Sequence, residues 1–160
     1  MSKKVVLILG ASGGIGKALT QEFIKDASIQ LALHYHTNQI NTPEGDALKK
    51  YQANLCVENE VQSLINKVKQ DFGRIDSVIN GAGVSLSGMS WKTDADQWQQ
   101  TLNVNLTAPF LVTKFVLPIM RAQNFGRIIY MSSIVAQTGV RTLWPYKNNC
   151  QGGRQQKHYC

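Results

Sequence analysis

A glycine-rich junction between a strand and a helix constrains the fold of this chain more than any other segment. Residues 5–9 (VVLIL) form an apolar, β-branched run typical of a buried strand, and the loop 10–16 (GASGGIG) follows at once. We predict a helix over 17–25, with one apolar face formed by Ile15, Leu19 and Phe23. Glycine lets the backbone approach a ligand closely, and a helix start offers free amides. The junction therefore predicts a phosphate site, with an ordinary glycine-rich turn as the alternative.

Strands and helices alternate along the rest of the chain. We predict strands over 29–35, 52–55, 77–79 and 127–131, a short helix over 46–50, and longer helices over 58–72 and 94–120. Pro109 should kink or divide the last helix, whose apolar positions are Trp98, Leu102, Leu106, Phe110, Val112, Phe115 and Val116. This order predicts an α/β, doubly wound parallel sheet. Because the chain supplies about five strands at roughly 30 residues a unit, we expect the sheet to be incomplete at its C-terminal end.

Composition excludes several classes of protein. The chain is 43% hydrophobic and 17% charged, which is typical of a globular domain. Its net charge is +7, but it has no basic helix face and no run of Lys or Arg, so we expect no nucleic acid partner. We predict no membrane partner and no metal. The odd, scattered set of Cys56, Cys150 and Cys160 favours a cytoplasmic location.

Four further patches follow the glycine loop in order. NGAG (80–83) closes the predicted fourth strand, Asn105 lies in the long helix, Ser133 ends the fifth strand, and Tyr146 follows. In this order and spacing, residues 3–146 resemble the short-chain dehydrogenase/reductase family, particularly its 3-oxoacyl-carrier-protein-reductase-like members. The resemblance implies a Rossmann-like fold and an NAD(P)H-dependent oxidoreductase. It also implies a carbonyl or alcohol substrate, such as a 3-oxoacyl thioester, and a homo-oligomer.

The resemblance also implies a role for individual residues. Those expected to bind the cofactor pyrophosphate are Gly10, Ser12, Gly14, Ile15 and Gly16. Those expected against the adenine or along the cofactor are Asn54, Leu55, Asn80, Ala82 and Gly83. Ser133 would hydrogen-bond the substrate carbonyl, Tyr146 would act as general acid/base, and Asn105 would hold a water in the proton relay.

The end of the second predicted strand suggests which cofactor is used. Family members that prefer NAD place an acid there to bind the ribose hydroxyls, and residues 34–38 (HYHTN) contain none. We therefore predict NADP(H) over NAD(H), with His36 and Thr37 nearest the 2′-phosphate. We expect His34 to be an ordinary residue of the strand end.

The family pattern does not continue beyond Tyr146. Cys150 stands where the family has a lysine four residues after the tyrosine, and residues 147–160 contain no Ala, Val, Leu, Ile, Met or Phe. We expect a dinucleotide-binding domain over 1–146 and a disordered tail over 147–160, because of C-terminal truncation or a shifted reading frame. A catalytically inactive remnant that at most binds nucleotide is therefore the alternative function.

Overall fold

The computed structural model describes residues 3–86 and 90–133. Its strands are β1 (Lys4–Leu9), β2 (Ile29–Tyr35), β3 (Leu48–Gln52), β4 (Ser77–Asn80) and β5 (Arg127–Tyr130). Its α-helices are α1 (Gly14–Phe23), α2 (Glu58–Phe72), α3 (Ala95–Leu102) and α4 (Ala108–Ala122), with a π-helical turn at Asn103–Thr107 between the last two. A short 3-10 turn, Ser90–Lys92, precedes α3. The predicted domain limit at 146 and the predicted tail lie outside the described residues.

The five strands form one parallel sheet in the order β3-β2-β1-β4-β5. The chain starts in the middle, winds outward through β2 and β3, and returns to add β4 and β5 on the other side of β1. The predicted α/β, Rossmann-like doubly wound sheet is confirmed. Strand order reverses between β1 and β4, which is where sheets of this kind bind their ligands.

β1 lies at the centre of the core because both of its faces are covered. Val5, Leu7 and Leu9 belong to a cluster with apolar residues of α2 and α4, whereas Val6 and Ile8 pack with β2 and with the α1 side. The five residues from Val5 to Leu9 are all buried. An uninterrupted apolar strand is the pattern expected when helices cover both faces of a parallel sheet.

Two short elements differ from the sequence predictions. The third strand spans Leu48–Gln52, so the predicted helix over 46–50 and strand over 52–55 are wrong. β3 is an edge strand that buries only Leu48 and Tyr51. Two consecutive lysines lie between these residues, so the sequence lacks the alternation of apolar and polar residues that predicts a strand. The first helix starts at Gly14 rather than at residue 17, and Ile15 is exposed rather than part of its packed face.

The long helical segment is interrupted just before Pro109. Ala108 N donates to Asn103 O, five residues back, so the π-helical turn contains one residue more than an α-helical turn. The buried face of α4 is formed by Ala108, Leu111, Val112, Val116 and Met120. The predicted apolar positions Trp98, Leu106 and Phe110 are exposed instead. The helix is divided just before Pro109, as the sequence predicts, and Val112 and Val116 are buried. Phe110 lies two positions from Val112 and therefore about 200° away around the same helix.

The same segment, Ala95–Ala122, is long and apolar enough to cross a membrane by length and composition alone. One such helix is weak support for a membrane span, because core helices also satisfy these criteria. Here Val112, Val116 and Met120 are buried in the main core cluster, beside residues of β1 and α2. This packing is that of a core helix in an α/β domain.

Asp76, directly before β4, connects three strands. Its buried Oδ2 accepts from Val5 N at 2.8 Å, and its main chain bonds Val5 O and Arg127 N. The Arg74 guanidinium donates to both carboxylate oxygens, at 2.8 and 2.6 Å. A buried carboxylate is stable only when it is paired and hydrogen-bonded, and both conditions hold here.

We expect Asp76→Ala to lower the free energy of unfolding by about 2–3 kcal/mol, because Val5 N and Arg74 lose their acceptor in a buried site. Glu22→Ala is the matched control: its carboxylate pairs with Lys25 on the surface and is 72% exposed. Surface pairs contribute about 0–1 kcal/mol. Urea unfolding of both variants checks the prediction, and equal losses would contradict it.

Candidate nucleotide site

A cavity of about 720 Å³ opens at the C-terminal ends of β1, β2 and β4. It lies at the point where strand order reverses. Its wall contains eight residues predicted to bind or approach the cofactor: Gly10, Ser12, His36, Thr37, Asn54, Leu55, Ala82 and Gly83. The other lining residues are Gly13, His34, Asn38, Cys56, Gly81, Val84 and five residues of α3 and the π-helical turn. Three other predicted residues, Gly14, Ile15 and Gly16, form the start of α1 beside this wall.

Gly10 allows the ends of β1 and β4 to meet, and Gly16 allows the start of α1 to pack on the loop after β1. Gly10 has φ 70°, and a Cβ there would lie 2.8 Å from Ala82 N. A Cβ on Gly16 would lie 2.3 Å from Gly10 O and 2.5 Å from Ala11 Cα. A side chain fits at neither position, so the loop must fold tightly between β1 and α1.

The start of α1 presents free backbone amides. The first helical bond of this turn runs from Lys17 N to Gly13 O at 2.9 Å. The amides of Gly14, Ile15 and Gly16 precede it, and a helix offers no carbonyl to the amides of its first turn. Amides at a helix N-terminus bind anions, with help from the helix dipole. This geometry fits the pyrophosphate site that the sequence predicts.

His34 is more than a residue of the strand end. It is buried, its Nδ1 accepts from Gly10 N at 3.2 Å, and its Nε2 donates to Ala53 O at 2.9 Å. Its main-chain carbonyl accepts from Ala11 N at 2.8 Å. Desolvation lowers the pKa of the imidazole from its ordinary 6.5 to about 4. The sequence offered no signal for these bonds, because strand-end histidines are usually unremarkable.

The residues after β3 and β4 form tight turns that face the cavity. Asn54 Oδ1 accepts from Cys56 N at 3.0 Å, and Asn54 N donates to Glu60 Oε2 at 2.7 Å. The buried Asn80 accepts from Ala82 N through Oδ1 at 3.1 Å. Asn80 therefore shapes the turn rather than lining the cavity, whereas Ala82 and Gly83 form its wall.

Asn105 lies in the π-helical turn and holds the segment that follows β4. Its Oδ1 accepts from Val84 N at 2.9 Å and its Nδ2 donates to Val84 O at 2.8 Å. Both polar atoms of the side chain are thus committed to one peptide segment. Pro109, four residues on, has no N–H, so the Asn105 carbonyl lacks the donor that an α-helix would supply.

The predicted catalytic residues are only partly covered by the structure. Ser133 is exposed and lies just beyond β5, which pairs with β4, so it lies at the same edge of the sheet as the glycine loop. Tyr146 and Cys150 lie outside the described residues. The described part of the chain contains no group of three or more His, Cys, Asp or Glu side chains that could hold a metal ion.

Comparison with known proteins identifies the family. A model of the family described as short chain dehydrogenase matches residues 4–149. The chain belongs to this family. It is 32% identical over 142 residues to the 3-oxoacyl-acyl-carrier-protein reductase FabG of Thermotoga maritima, which covers 85% of this chain and 58% of that protein. It is 36% identical over 144 residues to the acetoacetyl-CoA reductase of Shinella zoogloeoides, covering 85% and 57%.

Solved structures of the family share the fold. The structure of ElxO with NADP bound superimposes with a TM-score of 0.75 at 28% identity, covering 86% of this chain and 58% of that one. The chain thus spans somewhat more than half the length of the relatives it matches. These similarities confirm the predicted membership of the short-chain dehydrogenase family, whose matched relatives are named as reductases.

We expect Gly16→Ala to destabilise the protein by at least about 2 kcal/mol, because the new methyl group would overlap backbone atoms that cannot move independently. Gly14→Ala is the matched control on the same turn, where a Cβ meets no atom within 4 Å. It should leave the stability unchanged or slightly higher. Thermal unfolding distinguishes the two variants. Equal stability would show that the loop adapts to a side chain at Gly16.

Proposed function

We propose that this chain forms the nucleotide-binding part of an NADP(H)-dependent oxidoreductase that interconverts a carbonyl and an alcohol. The observation that carries the proposal is the cavity between β1 and β4, where the amides at the start of α1 meet the turns that follow β3 and β4. A dinucleotide needs a diphosphate site beside a partly apolar wall, and this edge of the sheet offers both.

The residues of the wall divide by chemistry. The amides of Gly14, Ile15 and Gly16 suit the diphosphate, with Gly10 and Ser12 completing the loop. Asn54 and Leu55 suit the adenine, because they offer a polar turn and an aliphatic surface after β3. Ala82 and Gly83 border the next part of the cofactor, and Asn80 supports them.

In reduction, bound NADPH supplies a hydride to the carbon of the substrate carbonyl. Ser133 donates its hydroxyl hydrogen to the carbonyl oxygen and so polarises the bond. Tyr146 then gives its hydroxyl proton to the alkoxide that forms. A tyrosine has an ordinary pKa near 10, so this step needs a neighbouring positive charge to lower that pKa.

Asn105 serves the proton relay through its main chain rather than its side chain. The amide group of its side chain is occupied by Val84, whereas its main-chain carbonyl lacks the donor that an α-helix would supply, because Pro109 has no N–H. A carbonyl without a helical partner is a suitable acceptor for a water molecule. The family resemblance gives Asn105 this role without specifying an atom, and the two bonds of its side chain to Val84 favour the main-chain carbonyl.

The substrate proposed is a 3-oxoacyl thioester, and the support comes from the relatives. One is a 3-oxoacyl-acyl-carrier-protein reductase and another an acetoacetyl-CoA reductase, and both names describe a thioester with a carbonyl group two carbons away. A cytoplasmic, homo-oligomeric protein fits the same relationship, and both remain predictions for this chain.

NADP(H) is favoured over NAD(H) by the charges around the cavity. His36, Thr37 and Asn38 line the wall beyond β2, and none of them is acidic. Asp96, on α3, is the sole charged carboxylate among the described lining residues. The described lining residues after β2 therefore include no carboxylate that would repel a 2′-phosphate. The structure of ElxO holds NADP in the corresponding fold.

We expect His36→Asp to weaken NADP⁺ binding about tenfold or more, because a carboxylate would repel the 2′-phosphate. NAD⁺ binding should hold or improve, because the same carboxylate can accept from the ribose hydroxyls. His36→Asn is the matched control, similar in size and uncharged. Titration calorimetry with both nucleotides measures the effect, and an equal loss for NAD⁺ would contradict the assigned position of the 2′-phosphate.

Nucleotide binding without turnover is the second candidate function. Cys150 stands where the family places the lysine that follows the tyrosine. A cysteine side chain supplies no positive charge that would lower the pKa of a tyrosine. The residues that line the described nucleotide site lie between Gly10 and Val104, so we expect that binding can persist when the reaction does not.

The test combines NADP⁺ binding with NADPH-dependent reduction of acetoacetyl-CoA by the full 160-residue chain. The oxidoreductase is supported if the chain binds NADP⁺ and reduces the substrate, if Tyr146→Phe abolishes this reduction, and if Tyr159→Phe leaves it intact. Binding with no turnover supports the second candidate. The absence of NADP⁺ binding would contradict both.

A further inference from the structure

One buried side chain on β2 connects the glycine loop after β1 to the residue that follows the edge strand β3. His34 is only 2% exposed, yet its two ring nitrogens bond to different segments. Nδ1 accepts from Gly10 N, the first amide of the loop, and Nε2 donates to Ala53 O, just beyond β3. A buried histidine with both nitrogens committed in this way is held in one orientation.

The two bonds require a single protonation state. Gly10 N can only donate, so Nδ1 must be unprotonated, and Ala53 O can only accept, so Nε2 must carry the hydrogen. The neutral Nε2–H tautomer alone satisfies both. The lowered pKa of this imidazole agrees with that state at neutral pH.

We propose that His34 is a positioning residue for nucleotide binding, which fixes Gly10 N and thereby the turn that directs the amides of Gly14, Ile15 and Gly16 toward the diphosphate. This inference rests on the proposed nucleotide site. It adds a residue to that site for which the sequence predicts no role.

The local geometry explains why the loop needs this contact. Gly10 is the residue with φ 70°, at which the chain leaves β1 and turns toward α1. Its carbonyl is held by Gly13 N at 3.0 Å, and its amide is held by His34. Both polar groups of the turning residue are therefore fixed, and the orientation of the next amides follows from that turn. Without an acceptor at Nδ1, Gly10 N would be left partly buried and unpaired, and the turn could rotate to reach another acceptor.

Two amide variants separate the contribution of each ring nitrogen. In His34→Asn the side-chain amide reaches about as far as Nδ1, so an acceptor for Gly10 N remains and the bond to Ala53 O is lost. In His34→Gln the side-chain amide reaches about as far as Nε2, so the bond to Ala53 O can remain and Gly10 N loses its acceptor. The main-chain bond from Ala11 N to His34 O and the pairing of β2 are available to both variants.

We expect both variants to lose some thermal stability but to differ in NADP⁺ affinity by calorimetry. His34→Asn should bind within about threefold of the unaltered chain, and His34→Gln at least about tenfold more weakly, which is about 1.4 kcal/mol. Equal affinities in the two variants, or a loss that follows thermal stability alone, would overturn the proposal. Nucleotide binding without reduction would contradict only the proposed reaction, whereas no binding by the unaltered chain would contradict the proposed site.

A measurement on the unaltered protein does not depend on the variants folding. Nitrogen-15 NMR of labelled histidine distinguishes the two neutral tautomers and the imidazolium. We expect Nδ1 of His34 to be unprotonated and Nε2 to be protonated at pH 7, before and after NADP⁺ is added. The opposite tautomer or an imidazolium would overturn the proposal, because neither can accept from Gly10 N.

Discussion

The close approach of β1 and β4 is the constraint on which the rest of the site depends. These strands are neighbours in the sheet, but their paired positions, such as Leu9 and Asn80, lie 71 residues apart in the sequence. Where they end, Gly81 N donates to Leu9 O at 3.0 Å, and Gly10 lies so near Ala82 that a Cβ would overlap its backbone. The cavity lies where the segments that follow β1 and β4 then separate, one toward α1 and the other toward Val84. Asn105 fixes the second of these paths through its bonds to Val84.

The sequence predicted the centre of the sheet well because the rule that governs it is local. A strand buried on both faces must be apolar throughout, and a turn that meets another backbone must contain glycine. Residues 5–16 therefore predict both the central strand and the tight loop that follows it. The edge strand β3 obeys a weaker rule, since only Leu48 and Tyr51 are buried and Lys49 and Lys50 favour solvent. His34 could not be assigned from sequence at all. Its importance comes from Gly10 and Ala53, which approach it only in the folded chain.

The sequence predicts that the long helix is kinked or divided at Pro109, and the division that the structure shows also concerns the site. The π-helical turn inserts one extra residue, about 100° of rotation, between α3 and α4. Within α4 itself, Phe110 lies two positions from Val112 and so about 200° away around the helix, which leaves it exposed while Val112 and Val116 are buried. The same turn brings Asn105 against Val84. Because the extra residue rotates α3 relative to α4, the irregular turn sets the direction of the Asn105 side chain that bonds Val84.

The charges of the cavity explain why backbone geometry matters so much here. The described lining residues include no lysine or arginine, so a phosphate-rich ligand would meet no permanent side-chain cation there. Its charge must then be stabilised by oriented amides and by the dipole of α1, both of which act only over short distances and in the right direction. A site with an arginine tolerates small shifts, because that side chain can follow its ligand. A site built on the amides of Gly14, Ile15 and Gly16 cannot adjust in this way, so the contacts that fix Gly10 and Gly16 have to set its geometry in advance.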